Sequence, residues 1–65
     1  MKKIEIEVRK IAKEVLETKI DAKLDPMNSF ERRLVHTIVS EFDGLYTESE
    51  GEPPNRYVVI KYKAS

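Results

Sequence analysis

Sixty-five residues, 40% apolar and 37% charged, allow one small domain under a heavily charged surface and exclude a multidomain enzyme. Twelve Lys and Arg balance twelve Asp and Glu, so coating of nucleic acid by bulk positive charge is excluded and any polyanion site must be a local patch. The absence of Cys removes disulfide staples and thiolate metal sites, and no apolar run reaches the length of a membrane span or a signal-peptide core. A cytoplasmic domain is the expectation.

Residues 3–19 read as a helix. Ile4, Val8, Ile11, Ala12, Val15 and Leu16 form a stripe of helical period, and Lys3–Glu7, Glu5–Arg9, Lys10–Glu14 and Lys13–Glu17 place opposite charges one turn apart on the wet side. The competing reading takes Ile4-Glu5-Ile6-Glu7-Val8 as a strand of period two, but the charge pairs and the following stripe favour helix. Ile20-Asp21-Ala22-Lys23-Leu24 alternates as a short half-buried strand, closed by Pro26, which forces Asp25 away from helical angles. Asn28 then caps a second helix, with Glu31 completing a capping box. Phe30, Leu34, Val35, Ile38, Val39 and Phe42 cover one side of that helix, and Asp43-Gly44 ends it. Leu45–Ser49 is a weak strand and Arg56–Lys63 a strong one, joined through a loop holding Gly51, Pro53 and Pro54. Val58, Ile60 and Tyr62 share one face of the last strand, and Tyr57, Val59, Lys61 and Lys63 the other. The fold expected is α+β in the order α-β-α-β-β, two helices on a three-stranded sheet.

Charge is uneven along this order. Residues 43–52 carry Asp43, Glu48, Glu50 and Glu52 without a base, whereas the last strand carries Arg56, Lys61 and Lys63 without an acid. On the second helix, at ~100° per residue from Arg32, His36 falls at ~40°, Ser29 at ~60°, Ser40 at ~80° and Arg33 at ~100°, while the apolar set spans about 160° to 340°. Arg32 and His36 thus stand one turn apart on the face turned from the core. A planar fork of donors beside an imidazole suits phosphodiester oxygens. The plainer alternative is a solvated His and arginines that pair with Glu31 or Glu48. Tyr46 and Tyr57 are candidates to stack bases or, equally, to pack against the sheet, and Tyr57 is preferred because it shares a face with Lys61 and Lys63. Met27 and Phe30 read as core or cap packing. Glu50, Gly51 and Glu52 make a poor metal cage, so no cofactor or metal is expected. Gly51 reads as a positive-φ turn position. No nucleophile, base and oxyanion donor converge on a pocket, so an enzyme is not expected.

Arg32-Arg33-Leu34-Val35-His36 belongs to a longer string: Leu24-x-Pro26-Met27-Asn28, Glu31-Arg32-Arg33-x-Val35-His36, Ser49-Glu50-Gly51-Glu52-x-Pro54-Asn55-Arg56 and Val58-Val59-Ile60. This string resembles the R-three-H domain, named for its Arg and His, and more narrowly the version at the C-terminus of the Jag (KhpB) family of Gram-positive bacteria. The resemblance covers roughly residues 10–62. It implies two helices on a three-stranded sheet, binding of single-stranded nucleic acid, and an RNA-binding KH domain just before this one in the same chain. Arg32 and His36 match the signature pair, and Ser49, Gly51 and Arg56 match further positions of the family near the hairpin. Thr18-Lys19 stand where Jag relatives often have a glycine closing the first helix, which bears on the first loop and not on the site. The expected function is a module that binds single-stranded nucleic acid, RNA first and DNA left open. Arg32, His36 and Arg56 would hold phosphates, Arg33, Lys61 and Lys63 would widen the patch, and Ser49, Gly51 and Tyr57 would complete it. A module that docks beside the KH domain without touching nucleic acid is the alternative. Residues 1–65 are expected to be a single domain excised from the C-terminus of a longer protein.

Overall fold

A 3.6-residue apolar stripe followed by a polar alternation dictates a helix laid across a sheet, and the computed structural model, which describes residues 2–63, has that arrangement. The elements are α1 (Lys2–Thr18), β1 (Ala22–Lys23), α2 (Ser29–Val39), β2 (Leu45–Glu50) and β3 (Tyr57–Tyr62). Val8, Ala12 and Val15 of α1 are buried, with Ile4, Ile11 and Leu16 packed beside them. Ile6 is 67% exposed, so the strand alternative for this segment fails: period two would bury it with its neighbours. Of the expected charge pairs, Glu5–Arg9 forms at 3.6 Å, and Arg9 also reaches Glu41 beyond α2 at 2.9 Å. These hydrogen bonds and charges raise the Arg9 pKa, the Glu41 contact contributing most. Lys10 and Lys13 make no ion pair among the described residues, as expected where side-chain entropy opposes a weak solvated attraction. The Lys3 side chain lies outside the described ones.

Lys19 ends α1 in the left-handed conformation, φ 61°, its N–H bonded to the Val15 carbonyl at 2.7 Å. It fills the role a glycine would have there. Its ammonium lies 5.8 Å from the centre of the Tyr62 ring, a cation–π contact. The chain then leaves α1 with Ile20 69% exposed. The expected five-residue strand is therefore corrected to the two residues of β1, although Leu24 N–H to Val58 O (2.9 Å) and Met27 N–H to Arg56 O (3.1 Å) carry the pairing with β3 onward to the foot of α2.

The capping box at α2 is complete: Glu31 N–H donates to Asn28 Oδ1 at 2.8 Å and Asn28 N–H to Glu31 Oε1 at 3.1 Å. Val35, Ile38 and Val39 are buried. Phe30 is not core: it sits in the first turn, at the margin of the apolar arc, and is 71% exposed. The helix also stops short of Asp43-Gly44. Past Val39 the bonds tighten to the i→i+3 kind, Glu41 N–H to Ile38 O and Phe42 N–H to Val39 O, and the Ser40 hydroxyl turns back to the Thr37 carbonyl. Gly44 does take positive φ, at 91°.

The sheet is antiparallel in the order β1-β3-β2, so the strand richest in β-branched residues is central. Thr47 faces Ile60 and Ser49 faces Val58 across the ladder. Alternation puts Leu45, Thr47, Ser49, Val58, Ile60 and Tyr62 on the helix side and Tyr46, Glu48, Glu50, Tyr57, Val59 and Lys61 on the other. One core joins α1, α2, Leu45, Val58 and Ile60.

Candidate nucleic-acid interface

Because β2 is the sheet edge beside α2, the wet flank of the helix and the helix-side hydroxyls of the strand bound a groove of about 380 Å³. Ser29, Arg32, Arg33 and His36 supply one wall, Thr47 and Ser49 the other, and Val58 lies between. The capping box fixes where α2 begins, and so fixes the azimuth at which its polar residues point.

Arg32 is half-buried, its guanidinium donating to Met27 O at 2.7 Å and Ser29 Oγ at 3.3 Å. Those contacts orient the fork and leave further N–H donors over. His36 is exposed, with Nδ1 2.8 Å from Thr47 Oγ1. The ring is thereby held against β2, and Nε2 is left for a ligand. Arg33 is exposed at the rim. Arg56 donates to Gly51 O at 2.9 Å, with Ser49 O at 3.5 Å. Gly51 itself has φ +87°, and a Cβ there would come within 3.2 Å of the Asn55 carbonyl and the Tyr57 ring, so the turn needs glycine.

No carboxylate stands within ion-pair distance of Arg32, Arg33, His36 or Arg56 among the described residues. Glu31 is engaged by the capping box, and Glu48 points to the far side of the sheet, where it meets Lys61 at 2.7 Å. The plainer reading, in which the arginines are paired with these acids, therefore does not describe the molecule. Arg32, Arg33 and His36 line the groove and Arg56 borders the adjoining recess, all without an acid partner among the described residues in a chain of zero net charge, and converging donors of this kind bind oxygen anions.

Three of the expected site residues, Tyr57, Lys61 and, by the same alternation, Lys63, lie elsewhere. Lys61 and Tyr57 are on the far face of the sheet: Lys61 is held by Glu48 and Glu50, and the Tyr57 hydroxyl donates to Glu50 at 3.4 Å. The hydrogen bond that Lys61 donates to Glu48 raises the Lys61 pKa. The strand alternation that groups these side chains with Lys63 is also what turns them away from His36. Tyr46 shares that far face, and Ser40 is engaged as the C-cap of α2. Conversely, sequence reasoning misses Thr47, though Leu45-x-Thr47-x-Ser49 carries the signal: alternation places Thr47 beside Ser49 and opposite α2. No group of three or more His, Asp or Glu side chains able to hold a metal occurs among the described residues, and no described helix is long and apolar enough to cross a membrane.

Fold and groove together define a two-layer α+β domain whose distinctive surface is a donor-rich Arg/His cleft. Comparison with known families places it further. The family model of the R-three-H domain matches residues 2–62, and the chain belongs to that family. It is 48% identical over 52 residues to the RNA-binding protein KhpB of Streptococcus pneumoniae serotype 2, covering 80% of this chain and 16% of the relative. It is 38% identical over 60 residues to the KhpB of Clostridium symbiosum, covering 92% and 27%. A protein of Acanthamoeba polyphaga mimivirus with a 3′-5′ exonuclease name is also 38% identical over 60 residues, covering 92% and 14%. The chain thus spans between about one seventh and just over one quarter of the relatives it matches.

Proposed function

We propose that this domain binds single-stranded nucleic acid, RNA before DNA, by seating the sugar–phosphate backbone in the α2–β2 groove. The observation that carries this reading is the set of three uncompensated basic side chains, Arg32, Arg33 and His36, lining a hydroxyl-bearing cleft with Arg56 beside it. Arg32 and His36 hold one phosphate, Arg56 receives the next, and Arg33 extends the contact at the rim. The names of the KhpB relatives support RNA as the polymer. The groove offers donors to phosphate rather than a pattern that matches base edges, so it positions a strand without reading its sequence. The domain acts as a binding module, not an enzyme, within a longer chain in which a KH domain supplies a second RNA contact.

Titration of a short single-stranded RNA at increasing salt tests this. Three phosphate contacts at about −0.7 each predict a log–log slope near −2. Arg32→Gln combined with His36→Gln should lower that slope and weaken binding while the circular dichroism spectrum stays native. Unchanged RNA affinity in this double variant would overturn the reading and leave docking beside the KH domain as the role of the surface.

A further inference from the structure

The groove does not end at Arg32. Ser29 and Arg32 also border a second recess of about 280 Å³, between the first turn of α2 and the β2–β3 loop, closed by Met27, Pro53, Pro54 and Arg56. Its chemistry differs from that of the groove. Where the groove presents an imidazole and hydroxyls, the recess presents two exposed proline rings beside Met27, Asn28 and two arginines.

Both guanidiniums are tethered at their edges. Arg32 donates to Met27 O and Ser29 Oγ, and Arg56 to Gly51 O. Met27 pins the two sides together, since its carbonyl accepts from Arg32 at 2.7 Å while its N–H donates to Arg56 O at 3.1 Å. One backbone hydrogen bond and one from the Arg32 side chain thus tie Met27 to both arginines on this side of the recess. A guanidinium held by its edge keeps its flat face free, and that face stacks on heteroaromatic rings. Phosphate, a strongly hydrated anion, gains most in the groove. A nucleobase, flat and weakly hydrated on its faces, gains most against proline and guanidinium planes.

We infer that this recess is a nucleobase subsite: with the phosphate held at Arg32 and His36, the base of the adjoining nucleotide turns in between Pro53-Pro54 and the guanidiniums of Arg32 and Arg56. This inference rests on the reading of the groove as a sugar–phosphate site. It adds that the domain senses bases at one position, through stacking and not through the hydrogen-bond code of base edges.

The test compares a single-stranded RNA hexamer with an abasic hexamer of the same ribose–phosphate backbone, using the whole domain. The base-bearing hexamer should bind at least about fivefold more tightly, as stacking of one base implies. Pro54→Ala, in the exposed turn, should lower affinity for the base-bearing hexamer toward that of the abasic one and leave the abasic affinity unchanged. Equal affinity of the unmodified domain for both hexamers overturns the subsite while the groove stands, and this comparison needs no variant. An equal loss for both hexamers in Pro54→Ala also overturns it, because the loop then only shapes the backbone groove. If neither hexamer binds the unmodified domain, the groove reading falls, and the subsite with it.

Discussion

His36 is held in place by Thr47. With Nδ1 fixed by a hydroxyl on the neighbouring strand, the ring is restrained, and in the proposed phosphate site its other nitrogen would meet the ligand at little entropic cost. Thr47→Val removes that partner at nearly constant shape. It should weaken RNA binding by roughly 3- to 10-fold, from a hydrogen bond of about 0.5–1.5 kcal/mol, and Thr47→Ser should restore it. Gly51 is constrained in a different way. Gly51→Ala meets both the positive φ and the close Asn55 and Tyr57 atoms, so it should cost at least ~1 kcal/mol in denaturant unfolding and loosen the carbonyl that orients Arg56. Arg32 and His36 are legible in the sequence because helical spacing is local. Thr47 is not, because its partnership with His36 exists only once β2 has docked beside α2.

Among the elements, α2 is the most legible, since its start is written in a side chain that bonds its own backbone. Asn28→Ala should cost about 1 kcal/mol in thermal or denaturant unfolding. Its end is less legible: Gly44 has the expected conformation, but Ser40 and Thr37 break the helical ladder first, a competition between side chain and backbone that residue type alone does not decide. The first loop shows the same limit. A lysine occupies the left-handed position at residue 19, a cost of about 1–2 kcal/mol for an L-residue, which the contact of its ammonium with Tyr62 partly offsets. That turn throws Ile20 outward and shortens β1. In β3 the period of two is plain from residue types, yet which face meets α2 depends on the register with β2. Hence Lys61 and Tyr57, expected in the site from sequence, fall on the wrong side of the sheet for it. Lys61→Ala should accordingly leave RNA affinity and its salt slope unchanged.

Over the whole molecule, zero net charge hides a segregation made by the sheet. Glu48 and Glu50 of β2 hold Lys61 on the outer face, while the hydroxyls of β2 and the bases of α2 share the inner groove. Composition can exclude bulk charge as a binding mechanism, but it cannot show this separation. One small core supports both faces. Ile60 is fully buried at its centre, and Ile60→Ala should cost about 2–5 kcal/mol. That is a large share of the ~3–10 kcal/mol expected of a 65-residue domain.

The most direct measurement is an NMR titration of the domain with a short single-stranded RNA, following the Nε–Hε signals of the arginines, the His36 ring and the backbone amides. The groove account predicts shifts at Arg32, Arg33, Arg56 and His36, with amide changes confined to residues 29–36, 47–49 and 51–56. Shifts centred instead on Tyr46, Glu48, Tyr57 and Lys61, with the Arg32 and His36 signals unmoved at saturation, would contradict it.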